Sequence, residues 1–154
     1  MKNIVLVFFL VSFLFTNISY AIEKGVWKFF VEEEYCYIGS APIDIEMKKG
    51  LNRDPAYILV YRINKSQDKI VQITAGYLYD EEKRVLVTID QSSFDFFSQG
   101  DTSWTKNKDE EVIFAMKKGN ILTVEGYSSR GNLTKDKYTL KGFTAAFNKL
   151  SKDC

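Results

Sequence analysis

A chain of 154 residues with 21 Lys+Arg against 20 Asp+Glu, 45% hydrophobic and 15% aromatic, suits one packed domain and is too apolar for disorder. It contains no histidine, which excludes Ser-His-Asp and Cys-His nucleophilic catalysis, His-ligated metals and His pH switches. Residues 1–21 contribute Lys2 and no acid, so the remainder carries equal numbers of bases and acids; no positive surplus is left to hold nucleic acid by bulk electrostatics.

The chain opens on a short basic segment, Met1-Lys2-Asn3, followed by an apolar run from Ile4 to Phe15 broken only by Ser12. Ser19 and Ala21 put small residues at the −3 and −1 positions of a signal-peptidase site. This predicts a signal peptide over 1–21 and a mature chain starting at Ile22. The apolar run falls short of the ~20 residues that cross a bilayer, and no cysteine follows it to carry a lipid. The expectation is an exported chain, periplasmic or envelope-associated, with no integral span after cleavage. Its two cysteines, Cys36 and Cys154, agree with export, because an even count in an oxidising compartment reads as one disulfide. The alternative, two free thiols, leaves a reactive group at the chain end. Their spacing is far too long for CxxC redox chemistry.

From there most of the chain alternates and is rich in β-branched and aromatic residues, the pattern of half-buried strands. Strands are predicted at 26–31, 35–38, 56–63, 70–75, 85–89, 94–97, 121–127 and 137–141. A long connection over 39–55 holds both prolines, Pro42 and Pro55. Two segments break the period. Residues 107–118 place Asp109, Glu110 and Glu111 early and Lys117 and Lys118 late, with Gly119 beyond, an order that complements a helix dipole and supplies a stop. Residues 142–154 put Phe143, Ala146, Phe147, Leu150 and Cys154 on one helical face. About eight short strands and two short helices, without βαβ order, predict a mainly β fold, an antiparallel β-sandwich forming one domain over 22–154. An open antiparallel sheet with helices on one face is the alternative.

The C-terminal third carries a resemblance. Met116-Lys117-Lys118-Gly119, Val124-Glu125-Gly126-Tyr127-Ser128-Ser129-Arg130-Gly131 and Asp136-Lys137-Tyr138-Thr139-Leu140-Lys141-Gly142-Phe143 resemble the invasion-associated locus B family of exported bacterial proteins. Tyr35-Cys36-Tyr37-Ile38 ahead of Pro42, Arg53 to Pro55, Ala75-Gly76-Tyr77 and Gly100-Asp101 before Trp104 extend it over most of the mature chain. The resemblance implies a Gram-negative periplasmic or envelope β-domain linked to host interaction. It implies no catalytic residue.

Candidate chemistry is sparse. Ser66-Gln67-Asp68-Lys69 has the S-x-x-K form of penicillin-binding enzymes, but it falls in a polar turn rather than at a helix start, without S-D-N or K-T-G partners. The acid runs Glu32-Glu33-Glu34, Asp80-Glu81-Glu82 and Asp109-Glu110-Glu111 lack a calcium-loop pattern and read as solvated turns or a helix start. No ligand set for a metal or organic cofactor is expected. Among the central aromatics, Trp104 beside Asp101 and Thr102 is the candidate for an exposed contact. The polar loop predicted over 128–136 is the favoured binding surface, with Ser128, Arg130, Gly131 and Asp136 as its recognition residues. The competing reading has Gly126 and Gly131 shaping the turn and Arg130 folded back onto Asp136. Two functions compete: a non-catalytic envelope binding or interaction domain for an unknown envelope or host protein, and a periplasmic hydrolase using a carboxylate pair.

Overall fold

The structure, a computed structural model, describes residues 21–63 and 66–154. Apart from Ala21, the expected signal peptide lies outside the described residues. The alternating segments form ten strands there: β1 (Lys28–Val31), β2 (Tyr35–Ser40), β3 (Asp44–Met47), β4 (Tyr57–Ile63), β5 (Ile70–Thr74), β6 (Val85–Ile89), β7 (Ser92–Gln99), β8 (Thr102–Trp104), β9 (Ile121–Tyr127) and β10 (Leu133–Thr139). Helix α1 (Asp109–Lys118) follows β8, and α2 (Phe143–Asp153) ends the chain.

All pairings between strands are antiparallel, in the order β1-β2-β4-β5-β8-β7-β6-β9-β10-β3. The fold is mainly β, as expected, but the ladder is continuous rather than split into the two sheets of a sandwich. Strand β7 explains why. Its first part, Ser92 to Phe96, pairs with β6, and its last three residues, Phe97 to Gln99, pair with β8. One long strand thus turns the corner between two halves, and the sheet curves into a half-barrel.

Two of the ten strands were not expected. Strand β3, Asp-Ile-Glu-Met, alternates over only four residues and buries none of them, too short a signal inside the proline-bounded connection; backbone pairing to β10 holds it. Strand β8 is only three residues long. Strand β10 starts at Leu133, four residues ahead of its predicted start, because the residues it turns inward include Thr134 and Asp136.

The concave face is lined by Ile38, Ile58, Val60, Val71, Ile73, Val85, Val87, Phe96, Leu122 and Val124, all nearly or fully buried. Both helices pack against this core, α1 through Val112, Ile113 and Met116 and α2 through Phe143, Ala146, Phe147 and Leu150. Trp27 ties the two rims together. Its ring meets Phe143 edge-on at 4.9 Å and its Nε1–H donates to the Thr139 carbonyl on β10 at 2.8 Å. Burial of each such ring contributes about 1.5–3 kcal/mol.

Local chemistry fixes α1. Just past the last β5–β8 pair, Gln72 with Trp104, the Val71 N–H has no strand opposite and donates to Asp109 Oδ1 at 2.8 Å. Asp109 Oδ2 accepts from the Thr105 hydroxyl at 2.8 Å. The helix stops at Gly119, as the sequence predicts, but not by a left-handed turn: its φ is −82°. A Cβ there would lie 2.6 Å from Ile89 Cγ2, so glycine is required by close packing. Cys36 on β2 and Cys154, immediately after α2, form the expected disulfide, with 5.7 Å between Cα atoms.

Candidate binding site

One region of the concave face is polar, and β10 makes it so. Alternate residues Thr134, Asp136 and Tyr138 all turn inward and are buried. Arg53, from the connection between β3 and β4, reaches in to meet them. Its Nη1 donates to Asp136 Oδ2 at 2.9 Å and to the Ala75 carbonyl at 3.1 Å, and its Nη2 donates to Asp136 Oδ1. The two side chains are only 6% and 4% exposed. Gly76, with φ +74°, permits the approach: a Cβ there would stand 1.9 Å from the Asp54 carbonyl oxygen.

Two tyrosines close over the pair. Tyr77 shares a hydrogen bond of 2.7 Å with the Thr134 hydroxyl, and the Arg53 guanidinium lies 5.8 Å from its ring centroid, a cation–π distance. Tyr79 packs edge-on against Tyr77 at 5.3 Å. Both occupy the space above Gly126, where a Cβ would fall 2.6 Å from a Tyr79 ring carbon and 3.0 Å from the Tyr77 hydroxyl. Gly126 is thus a packing glycine, not a turn former. Gly126→Ala is expected to cost about 1–3 kcal/mol through overpacking, read as a shift of the urea midpoint at constant slope. An unchanged midpoint would mean that the tyrosines do not sit there.

Burial pushes the Asp136 carboxyl above the usual aspartate range, against the pull of Arg53. Desolvation also opposes the Arg53 charge, but the hydrogen bonds and charge of Asp136 outweigh it and hold the guanidinium above its ordinary value. Burial raises Tyr79 and Tyr138 strongly, so both phenols stay protonated. The Tyr138 hydroxyl has no hydrogen-bond partner among the described residues.

Above this cluster opens a cavity of about 290 Å³. Arg53, Tyr77 and Thr134 line it from the polar side; Met47, Leu51 and Leu78 supply apolar wall. Its rim is the loop joining β9 to β10, which is residues 128–132 and shorter than predicted. That loop is tightly built. Ser128 N–H donates to the Asn132 carbonyl at 2.9 Å, Asn132 N–H donates back to Ser128 Oγ at 3.1 Å, and Gly131 N–H donates to the Ser128 carbonyl at 2.8 Å. Gly131 has φ +79°, the left-handed conformation that favours glycine. Ser129 N–H anchors the loop to the Leu78 carbonyl at 2.7 Å. Arg130 projects from this frame, exposed and without a hydrogen bond or ion pair among the described residues.

The structure therefore brings Ser128 and Arg130 together at one cavity and sets Gly131 behind them as a turn residue. Asp136 is not part of the loop. It lies within β10, and its partner is Arg53 rather than Arg130. Trp104 is elsewhere: Ser103 points inward, so Trp104 faces outward, half-buried and 5.9 Å from Phe97 in ring centroids. Arg53 and Leu78 are not singled out by the sequence as site residues, and Tyr77 only as one of the central aromatics; the further signal is the place of Arg53 and Tyr77 in the quoted family pattern. The S-x-x-K reading fails in space, since Lys69 Nζ donates to the Gln67 carbonyl at 3.0 Å and the segment is not helical.

Two larger grooves, about 650 and 750 Å³, lie between α1 and the β4–β5 turn and against β6 and β7. The first gathers Asp68, Asp109, Glu110 and Glu111, but both oxygens of Asp109 are taken by Val71 and Thr105. Among the described residues, no group of three or more acids and cysteines is placed to hold a metal ion.

Comparison with known proteins bears on this fold. The chain aligns with the crystal structure of invasion associated protein b from Bartonella henselae at a TM-score of 0.55 and 16% identity, covering 82% of this chain and 92% of that one. At that identity the likeness speaks for the fold alone. Among curated proteins none matches the sequence significantly. Residues 32–151, which include the disulfide's first cysteine, Arg53, the tyrosines and the whole cavity, match the family model of the invasion associated locus B (IalB) protein. The chain belongs to the invasion associated locus B family.

Proposed function

We propose that the chain is an exported, non-catalytic binding domain of the cell envelope, and that the cavity beneath residues 128–132 is its contact site. The observation that carries this reading is Arg130: a guanidinium with no partner among the described residues, held on a rigid loop at the mouth of a cavity. Binding residues are commonly presented this way, on loops over a stiff scaffold. A cavity of this size with a mixed apolar and polar lining suits a small recognition element. A non-catalytic role is supported by Asp136, the one buried acid among the described residues. Arg53 grips both of its oxygens, so it offers no free base.

Export is supported by the disulfide and by the N-terminal signal pattern, with cleavage after Ala21. Among the described residues no helix is long and apolar enough to cross a membrane. Intact mass of protein recovered from the envelope fraction checks the cleavage; a mass retaining Met1 to Ala21 would contradict it. The partner is an envelope or host protein, the latter in keeping with the family's name. Arg130→Ala tests the site. The exposed substitution is expected to change stability by no more than about 0.5 kcal/mol while weakening capture of the wild-type partner from envelope or host-surface extract. Unchanged capture by the well-folded variant would remove Arg130 from the contact surface.

A further inference from the structure

The cavity is one-sided in charge. Among the described residues two arginines line it and no aspartate or glutamate does. Arg53 is neutralised from below by Asp136, which leaves Arg130 as the uncompensated charge. The same cavity has an apolar wall, in which Leu51 and Leu78 are 37% and 63% exposed. Single exposed leucines are ordinary, but two converging with Met47 beside one cationic fork make a composite surface. Asn52 and Asn132 add side-chain amides that make no hydrogen bond among the described residues. At roughly 30 Å³ per water-sized group, the volume admits about ten non-hydrogen atoms.

These features complement one kind of chemical group. A planar guanidinium binds a carboxylate through two parallel hydrogen bonds. An apolar wall next to it takes one aliphatic side chain, and free amides take the adjoining peptide bond. Resting on the contact site proposed above, we infer that the cavity captures the carboxyl terminus of a peptide whose last side chain is apolar. The docking is end-on. Strand addition at the free edge β3 meets an occupied donor, since the Ile45 N–H is already bonded to Asp44 Oδ1 at 3.0 Å.

The test is a titration of ¹⁵N-labelled protein with three probes: N-acetyl-leucine, N-acetyl-leucinamide and 4-methylpentanoate. N-acetyl-leucine is expected to shift the amide signals of residues 128–132 and Leu78 saturably. The uncharged leucinamide, and N-acetyl-leucine on Arg130→Ala, are each expected to bind at least tenfold more weakly. 4-Methylpentanoate, which lacks the peptide bond, is expected to bind more weakly than N-acetyl-leucine. Equal binding of N-acetyl-leucine and its amide, or shifts confined to other surfaces, overturns the inference. So does 4-methylpentanoate binding as tightly as N-acetyl-leucine, which assigns the cavity to free acids instead. If none of the probes binds while partner capture still depends on Arg130, the carboxylate assignment falls and the contact site stands; if both fail, the site itself falls.

Discussion

Asp136→Ala is expected to lower the unfolding free energy by about 3–5 kcal/mol, among the largest single-residue losses in the fold. The substitution does not simply delete a favourable contact. It leaves the Arg53 guanidinium, 6% exposed, with the Ala75 carbonyl at 3.1 Å as its remaining protein acceptor. A buried cation without a counter-charge carries most of its desolvation penalty unrelieved. Arg53→Ala leaves the converse, a buried carboxylate, and should cost a similar amount. Replacing both at once, Arg53→Met with Asp136→Leu, removes both desolvation penalties and is expected to recover most of the loss. Urea unfolding of the two single variants and the double variant completes a cycle that isolates their coupling. A loss below ~1 kcal/mol for Asp136→Ala would place the pair in solvent, in the regime of surface salt bridges. The double variant also separates stability from recognition. It should fold while losing the polar floor of the cavity, whereas Arg130→Ala leaves that floor untouched.

This ion pair marks where sequence reading stops. Helices were legible because their signals are local. Acids early, bases late and an apolar stripe placed α1 within two residues of Asp109–Lys118, and the Phe143, Phe147 and Leu150 spacing placed α2 over 142–154, within one residue of Phe143–Asp153 at each end. Strands with apolar inward faces, such as Tyr57–Ile63 and Val85–Ile89, were legible for the same reason. Strand β10 was only half so. Its inward residues include a threonine and an aspartate, which in isolation look like a solvated loop; they turn inward because Arg53 and Tyr77 wait there, 83 and 57 positions away. Nothing local to Arg53 announces that partner. The loop tip itself was legible, because Ser128, Arg130 and Gly131 make a turn whose polarity and glycine speak for it. Its apolar wall was not, since Met47 ends β3 while Leu51 and Leu78 come from two separate connections, and only the curvature of the sheet brings them together.

Breaking the Cys36–Cys154 bond is expected to cost up to about 5 kcal/mol. The bond spans 118 positions, and closing a loop of that length removes roughly this much conformational free energy from the unfolded chain. A loss of this size corresponds to a fall in melting temperature of about 15 °C for a domain of this length. The cost is assigned to the unfolded state rather than to the helix contact. Phe143, Phe147 and Leu150 are buried by their own packing against the core, which gives α2 a reason to stay docked apart from the bond. The two mechanisms differ in hydrogen exchange. With Cys36→Ala and Cys154→Ala together, an unfolded-state effect lowers protection evenly across β4, β6 and β9, whereas a purely local role frays α2 and leaves those strands unchanged. An unaltered melting temperature would refute a stabilising role altogether. Natural domains are stable by only about 5–15 kcal/mol, so this one bond is worth between a third and all of the total. Such a chain reaches its full folded population only where thiols oxidise. A form lacking residues 1–21 and kept in a reducing compartment should therefore accumulate less folded protein than the same chain directed to an oxidising one, and adding oxidant after purification should restore it.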